Sequence, residues 1–156
     1  MSGRLHIHSM RFAVPLDAAG AIPVEAGVSQ YEAADEANPV MVAGKTTQRF
    51  SGIFDTGASG TVISQRVASA LGLKKIYKVT VQTANGEAEQ DVHVVNVVLG
   101  NGVVFSGMMV TAAPLCGIDL LIGMDILRCG DFTISNRHGF LTVSFDLYSL
   151  VEPPPS

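Results

Sequence analysis

The run Asp55-Thr56-Gly57-Ala58-Ser59 places one acid–base group among small neighbours. An apolar stretch, residues 50–54, precedes it and another, 61–63, follows, so the carboxylate falls at a strand-to-strand turn. A carboxylate there can take or give a proton. Gly57 has no Cβ, which lets backbone or a bound molecule come close. The Thr56 hydroxyl can donate and accept within the turn. By itself, Asp-Thr-Gly suits an Asx-type turn as well as it suits an active site.

Other reactive types fit less well. Gly57-Ala58-Ser59-Gly60 has the wrong spacing for a Gly-x-Ser-x-Gly nucleophile elbow, so Ser59 is expected to bond locally in the loop. Gly100-Asn101-Gly102 reads as a hairpin and not a dinucleotide loop, since no helix follows. His6-Ile7-His8 sets both rings on one strand face, where a plain polar face explains them better than a metal. His93 alternates with Val92 and Val94 and is expected to face solvent. Cys116 and Cys129 lack metal-ligand spacing and are expected to be reduced core thiols. Met108, Met109 and Met124 read as core or cleft lining.

A second element sharpens the first. Ile118-Asp119-Leu120-Leu121-Ile122-Gly123-Met124-Asp125-Ile126-Leu127 runs as an apolar strand, a glycine and a short helix. With this, the chain resembles the retropepsin-like aspartic peptidases across residues 39–147. In that family a strand ends in Asp-Thr/Ser-Gly-Ala, and a later apolar-apolar-Gly strand packs behind the catalytic loop. The resemblance implies that Asp55 is the catalytic carboxylate and that the Thr56 hydroxyl braces two such loops across a dimer. It implies that Gly57 and Ala58 form the floor of a substrate cleft with Ser59 also binding substrate, and that Gly123 lets the supporting strand lie close beneath. Thr83, Ala84, Asn85 and Gly86 fall where the family carries its flap, a hairpin over the bound peptide. Ser59 stands where retroviral members carry an acidic residue, and the flap tip has fewer glycines than theirs. Asp125 is expected to serve the helix dipole and Asp119 to be a turn or edge residue.

Hydrolysing a peptide without a covalent intermediate takes one group to deprotonate water and another to protonate or polarise the carbonyl. Two close carboxylates sharing a proton do both, because they cannot ionise together. The sequence holds no second Asp-Thr-Gly or Asp-Ser-Gly. The partner carboxylate must then be Asp55 of a second copy on a two-fold axis. The expected function is a homodimeric aspartic endopeptidase acting on extended peptides or proteins, with no metal or organic cofactor. A binding or dimerisation module that keeps the fold without turnover is the alternative.

Strands are expected over residues 40–43, 46–54, 61–63, 76–83, 88–99, 103–112, 120–122, 132–135 and 140–145. Gly44-Lys45, Asn85-Gly86, Asn101-Gly102 and residues 136–139 separate them as turns. Ser64 can cap a helix over 65–71 that stops at Gly72, and 124–129 reads as a second short helix. The expected fold is all-β: a closed, mostly antiparallel acid-protease barrel with one or two short helices, one lobe per chain. Residues 1–39 are expected to hold an edge strand over 4–16 and then a long loop or arm. Residues 40–150 form the peptidase domain, and the Pro-rich 151–156 a tail.

A net charge of −4, with no basic run among the 156 residues, argues against nucleic-acid or anionic-membrane partners. Polar residues interrupt every apolar stretch before it could span a bilayer. The first twelve residues lack the apolar segment of a signal peptide, so a cytoplasmic location is expected.

Overall fold

Alternating apolar residues and Asn-Gly turns commit most of the chain to strands. The computed structural model describes residues 4–15, 20–31 and 47–151. The expected strand 40–43, the turn Gly44-Lys45 and the tail at 152–156 lie outside them. In chain order the strands are β1 (Arg4–Pro15), β2 (Ile22–Gln30), β3 (Gln48–Phe54), β4 (Val62–Ser64), β5 (Tyr77–Thr83), β6 (Gly86–Val98), β7 (Val104–Ala113), β8 (Leu120–Ile122), β9 (Asp131–Arg137) and β10 (Phe140–Val151). Two short helices interrupt them, α1 (Gln65–Ala70) and α2 (Met124–Leu127).

Seven strands form one sheet in the order β2-β3-β8-β4-β7-β6-β5, and a further pairing of β2 with β6 closes a ring. Most pairings are antiparallel, but β3–β8 and β4–β7 are parallel. Inside lie Val28, Ile63, Val95, Val97, Leu120 and Ile122, all fully buried. Each such side chain contributes about 1.5–3 kcal/mol relative to exposure. The other sheet, β1-β10-β9, turns Phe12, Phe132 and Phe145 onto the same core. Phe132 sits 5.1 Å from Phe54 and 6.0 Å from Phe145, centroid to centroid. This is the expected all-β barrel with two short helices, and β1 is the expected edge strand.

One segment differs. The stretch read as a loop after β1 contains β2, which lies between β3 and β6. Val24, Ala26 and Val28 alternate into the core. Glu25, Gly27 and Pro23 mask that alternation, and proline ordinarily argues against a central strand. Pro23 is tolerated because β6 joins β2 only from Gly27 onward, so it stands where β2 has one neighbour.

The remaining turns follow their chemistry. Asn85-Gly86 joins β5 to β6 with Gly86 at φ 107°, and Asn101-Gly102 joins β6 to β7 with Gly102 at φ 79°. Ser64 caps α1 by accepting from the Val67 N–H, and Gly72 follows at φ 58°. Several side chains depart from expectation. His93 is buried, its Nδ1 3.0 Å from the Lys74 carbonyl, because the barrel closes over that strand. Cys116 and Cys129 are free but exposed, since each lies at an element end outside the core. Met109 is also exposed, on the outer face of β7. Among the described residues no helix is long and apolar enough to cross a membrane.

Candidate active site

Asp55 follows β3 directly, and its N–H donates to the Ile122 carbonyl of β8 at 2.9 Å. The parallel pairing Phe54–Ile122 thus fixes where the acidic loop begins. Asp55 is half-buried. Its Oδ1 accepts from the Gly57 N–H at 2.8 Å, and its carbonyl accepts from Ala58 N–H at 3.3 Å. No bond to Oδ2 is made among the described residues. The loop therefore aims the carboxylate by one oxygen. Thr56, Gly57 and Ser59 are exposed beside it, and Ala58 is half-buried.

The loop is held from behind. The Met124 N–H at the start of α2 donates to the Ala58 carbonyl at 2.8 Å. Gly123 lies so close beneath that an added Cβ would stand 2.5 Å from the Gly60 carbonyl oxygen and 3.0 Å from that of Ala58. Residue type at 123 is thus dictated by contact with backbone.

Asp125 does more than the helix dipole asks of it. Its Oδ2 accepts from the Thr61 N–H at 2.9 Å, and its Oδ1 from the Thr61 hydroxyl at 2.8 Å and the Ile126 N–H at 2.9 Å. The same hydroxyl accepts from Gly123 N–H at 3.2 Å. This clasp ties the end of the acidic loop to α2, and no spacing in the sequence announces it. Asp125→Ala would leave buried Thr61 short of partners. It is expected to lower stability by about 2–4 kcal/mol, read as a shift in the urea midpoint.

Asp119, expected at a turn or edge, stands at the bend before β8 and is buried there. Its Oδ1 accepts from the Ser64 hydroxyl and from Arg66 Nε, each at 2.9 Å, and its Oδ2 accepts from Arg66 Nη2. Arg66 also lies over the Phe50 ring, 5.6 Å from its centroid. The Arg66 hydrogen bond, with help from Ser64, holds the Asp119 carboxyl below its ordinary range although burial pushes it upward. The same hydrogen bond and charge raise Arg66 above its ordinary value. A carboxylate with a lowered folded pKa stabilises above its ordinary pKa and loses that effect as pH falls through the folded value. Arg66 stays charged throughout this range. Wild type and Asp119→Asn should therefore differ most near neutral pH and converge only as pH falls through the lowered folded pKa of Asp119. Denaturant midpoints at stepped pH check this, and a constant gap would contradict it.

One apolar row escaped the sequence reading. Ile53 pairs with Leu121, and Leu121 with Val62, all half-buried on the outer face of the barrel. Ile53 is two residues before Asp55 and so shares its face. Period-two alternation names such residues only once the face is known.

The hairpin tip is well defined. The Thr83 hydroxyl donates to the Gly86 carbonyl at 2.8 Å and accepts from the Asn85 N–H at 3.2 Å. Thr83, Ala84, Asn85 and Gly86 are all exposed, and no hydrogen bond joins them to the Asp55 loop. The structure thus brings Asp55, Thr56, Gly57, Ala58, Ser59 and Gly123 together in one braced loop, while the hairpin tip is held by its own hydrogen bonds. Among the described residues, no group of three His, Cys, Asp or Glu could hold a metal.

A family model described as Aspartyl protease matches residues 38–126, from before β3 into α2. The chain belongs to the aspartyl protease family. No curated protein matches it significantly. A retropepsin-like aspartic protease from Rickettsia conorii is similar in structure, with TM-score 0.57 and 20% identity over 94% of this chain and 98% of that one. Simian foamy virus protease aligns with TM-score 0.43 and 19% identity, covering 68% and 91% of the two chains. The retroviral protease-like domain of Ddi1 from Leishmania major aligns at 0.42 and 18%, covering 80% and 94%. The Rickettsia likeness establishes the retropepsin-like fold of this aspartyl protease family member.

Proposed function

We propose that two copies of this chain form an aspartic endopeptidase whose two Asp55 carboxylates share one proton. One carboxylate takes a proton from water as its oxygen attacks the peptide carbonyl carbon. The protonated partner gives its proton to the carbonyl oxygen, forming a tetrahedral diol. As the diol collapses and the C–N bond breaks, the carboxyl that took the water proton gives it to the departing nitrogen, and its ionised partner takes the proton of one diol hydroxyl. Each positioned acid or base contributes roughly 10²–10⁴-fold to such a reaction.

The observation that carries this reading is the Asp55 loop itself. Its carboxylate is oriented by one bond to Gly57 N–H, and β8 and α2 brace the loop from behind. A turn-capping role alone would not require that bracing. The chain offers one such loop, so the dyad needs a second copy. Thr56 would brace the two loops across the two-fold axis, while Gly57, Ala58 and Ser59 would line the floor. The hairpin tip at Thr83, Ala84, Asn85 and Gly86 would close over the peptide. An extended substrate suits this cleft because its backbone can pair as an added strand. The row Ile53, Leu121 and Val62 would receive an apolar side chain beside the scissile bond.

The test is incubation of the protein with a diverse pool of unstructured peptides at roughly pH 4–7, the range in which a shared-proton dyad works. Mass spectrometry should find cuts flanked by apolar residues. A folded, dimeric protein that cuts nothing would overturn the reading in favour of a binding module.

A further inference from the structure

Side chains on the outer face of the barrel stand in rows two strand residues apart, a step of about 7 Å. Asp55 forms the first row, and Ile53, Leu121 and Val62 the second. Ser51, Asp119 and Ser64 form the third, kept level by Asp119 N–H to Ser51 carbonyl at 2.9 Å and Ser64 N–H to Asp119 carbonyl at 2.8 Å. An extended peptide puts every second side chain on one side with the same step. A substrate resting one side chain on the apolar row therefore brings the side chain two residues further to the third row.

A cleft of 610 Å³ opens there, lined by Ser51, Arg66, Leu115, Ile118 and Asp119 among others. Its charge is one-sided. The Asp119 side chain is 11% exposed with both oxygens occupied, whereas the Arg66 side chain is 68% exposed. A guanidinium carries five N–H donors, and only Nε and Nη2 engage Asp119. The Phe50 ring backs the group, its centroid 5.6 Å from the guanidinium carbon. The remaining donors belong to an exposed side chain, and among the described residues no second carboxylate pairs with Arg66 to attract a basic group.

We propose that this cleft is a subsite for an acidic side chain of the substrate, two residues beyond the one that flanks the scissile bond. The outward N–H groups of Arg66 bind it. The proposal rests on the peptidase reading above, and each protomer of the dimer supplies one such cleft.

Matched peptides carrying Glu, Gln, Lys or Ala at that position test it with the purified dimeric protein. Wild type is expected to cleave the Glu peptide at least about tenfold better than the Lys peptide in kcat/KM, the size of a charge-assisted hydrogen bond. In the double variant Arg66→Met/Asp119→Leu, which leaves no buried charge unpaired, the ratio should fall near one. Cleavage of the Ala peptide should stay within about threefold of wild type. Arg66→Lys keeps the charge without the fork and should retain a reduced preference. A wild-type ratio near one overturns the subsite, as does a preference undiminished in either variant. Either result would mean that the ion pair only pins α1 to β8. Cleavage without charge preference removes the subsite alone, and no cleavage by folded wild type removes the peptidase reading with it.

Discussion

Asp55→Asn is expected to reduce peptide cleavage by about 10⁴-fold or more in kcat/KM, with little change in the denaturation midpoint. The two effects separate because the proposal gives the side chain two roles. As a structural group, Asp55 supplies one acceptor oxygen to the Gly57 N–H, and the amide oxygen of Asn can supply it equally. In the proposed chemistry it would exchange a proton with water and substrate, which an amide cannot do. Circular dichroism and a urea titration report the first role, and a fluorogenic peptide assay the second. A stable variant that keeps a tenth or more of wild-type activity would remove Asp55 from the chemistry. A variant that unfolds would make it a turn residue.

Gly123→Ala is expected to destabilise the fold by about 1–3 kcal/mol and to depress activity beyond what that loss explains. The new methyl would stand 2.5 Å from the Gly60 carbonyl oxygen and 2.6 Å from its carbon. These are backbone atoms of the acidic loop, so relief requires the loop to move. The Met124–Ala58 hydrogen bond and the Thr61–Asp125 clasp lie on the same contact and would loosen with it. Activity per folded molecule, measured well below the unfolding midpoint, isolates this displacement. Full activity in the folded variant would show that the loop tolerates the shift. The wider Gly123→Val change should be worse in both respects.

Much of the fold was legible because its signals are local. Asn85-Gly86 and Asn101-Gly102 demand tight hairpins, Ser64 and Gly72 bracket α1, and apolar alternation marks the longer strands. The acidic loop and its apolar-Gly support were legible as a pair, since both carry unusual residue types in order. What failed depended on partners far away in sequence. β2 looks like a loop until β3 and β6 flank it, because Ala26 and Gly27 signal little by themselves. His93 looks solvent-facing until Lys74 is seen to accept its bond. Asp119 and Asp125 are ordinary acids in the sequence. Their roles arise from Arg66 and Thr61, each brought across by strand register. Likewise, Ile53, Leu121 and Val62 become one row only through the pairing of β3, β8 and β4.

The most direct measurement is a subunit-mixing titration between wild type and Asp55→Asn. Total protein is held constant under conditions where the chain is dimeric and its subunits exchange, and cleavage is followed as the wild-type fraction falls. If both carboxylates of the dyad are needed, mixed dimers are inactive and the rate follows the square of that fraction. An equal mixture then keeps about a quarter of the wild-type rate. A rate at or above linear in the wild-type fraction, about half to three quarters at equal mixing, would mean that mixed dimers work with one Asp55 and would contradict the shared dyad.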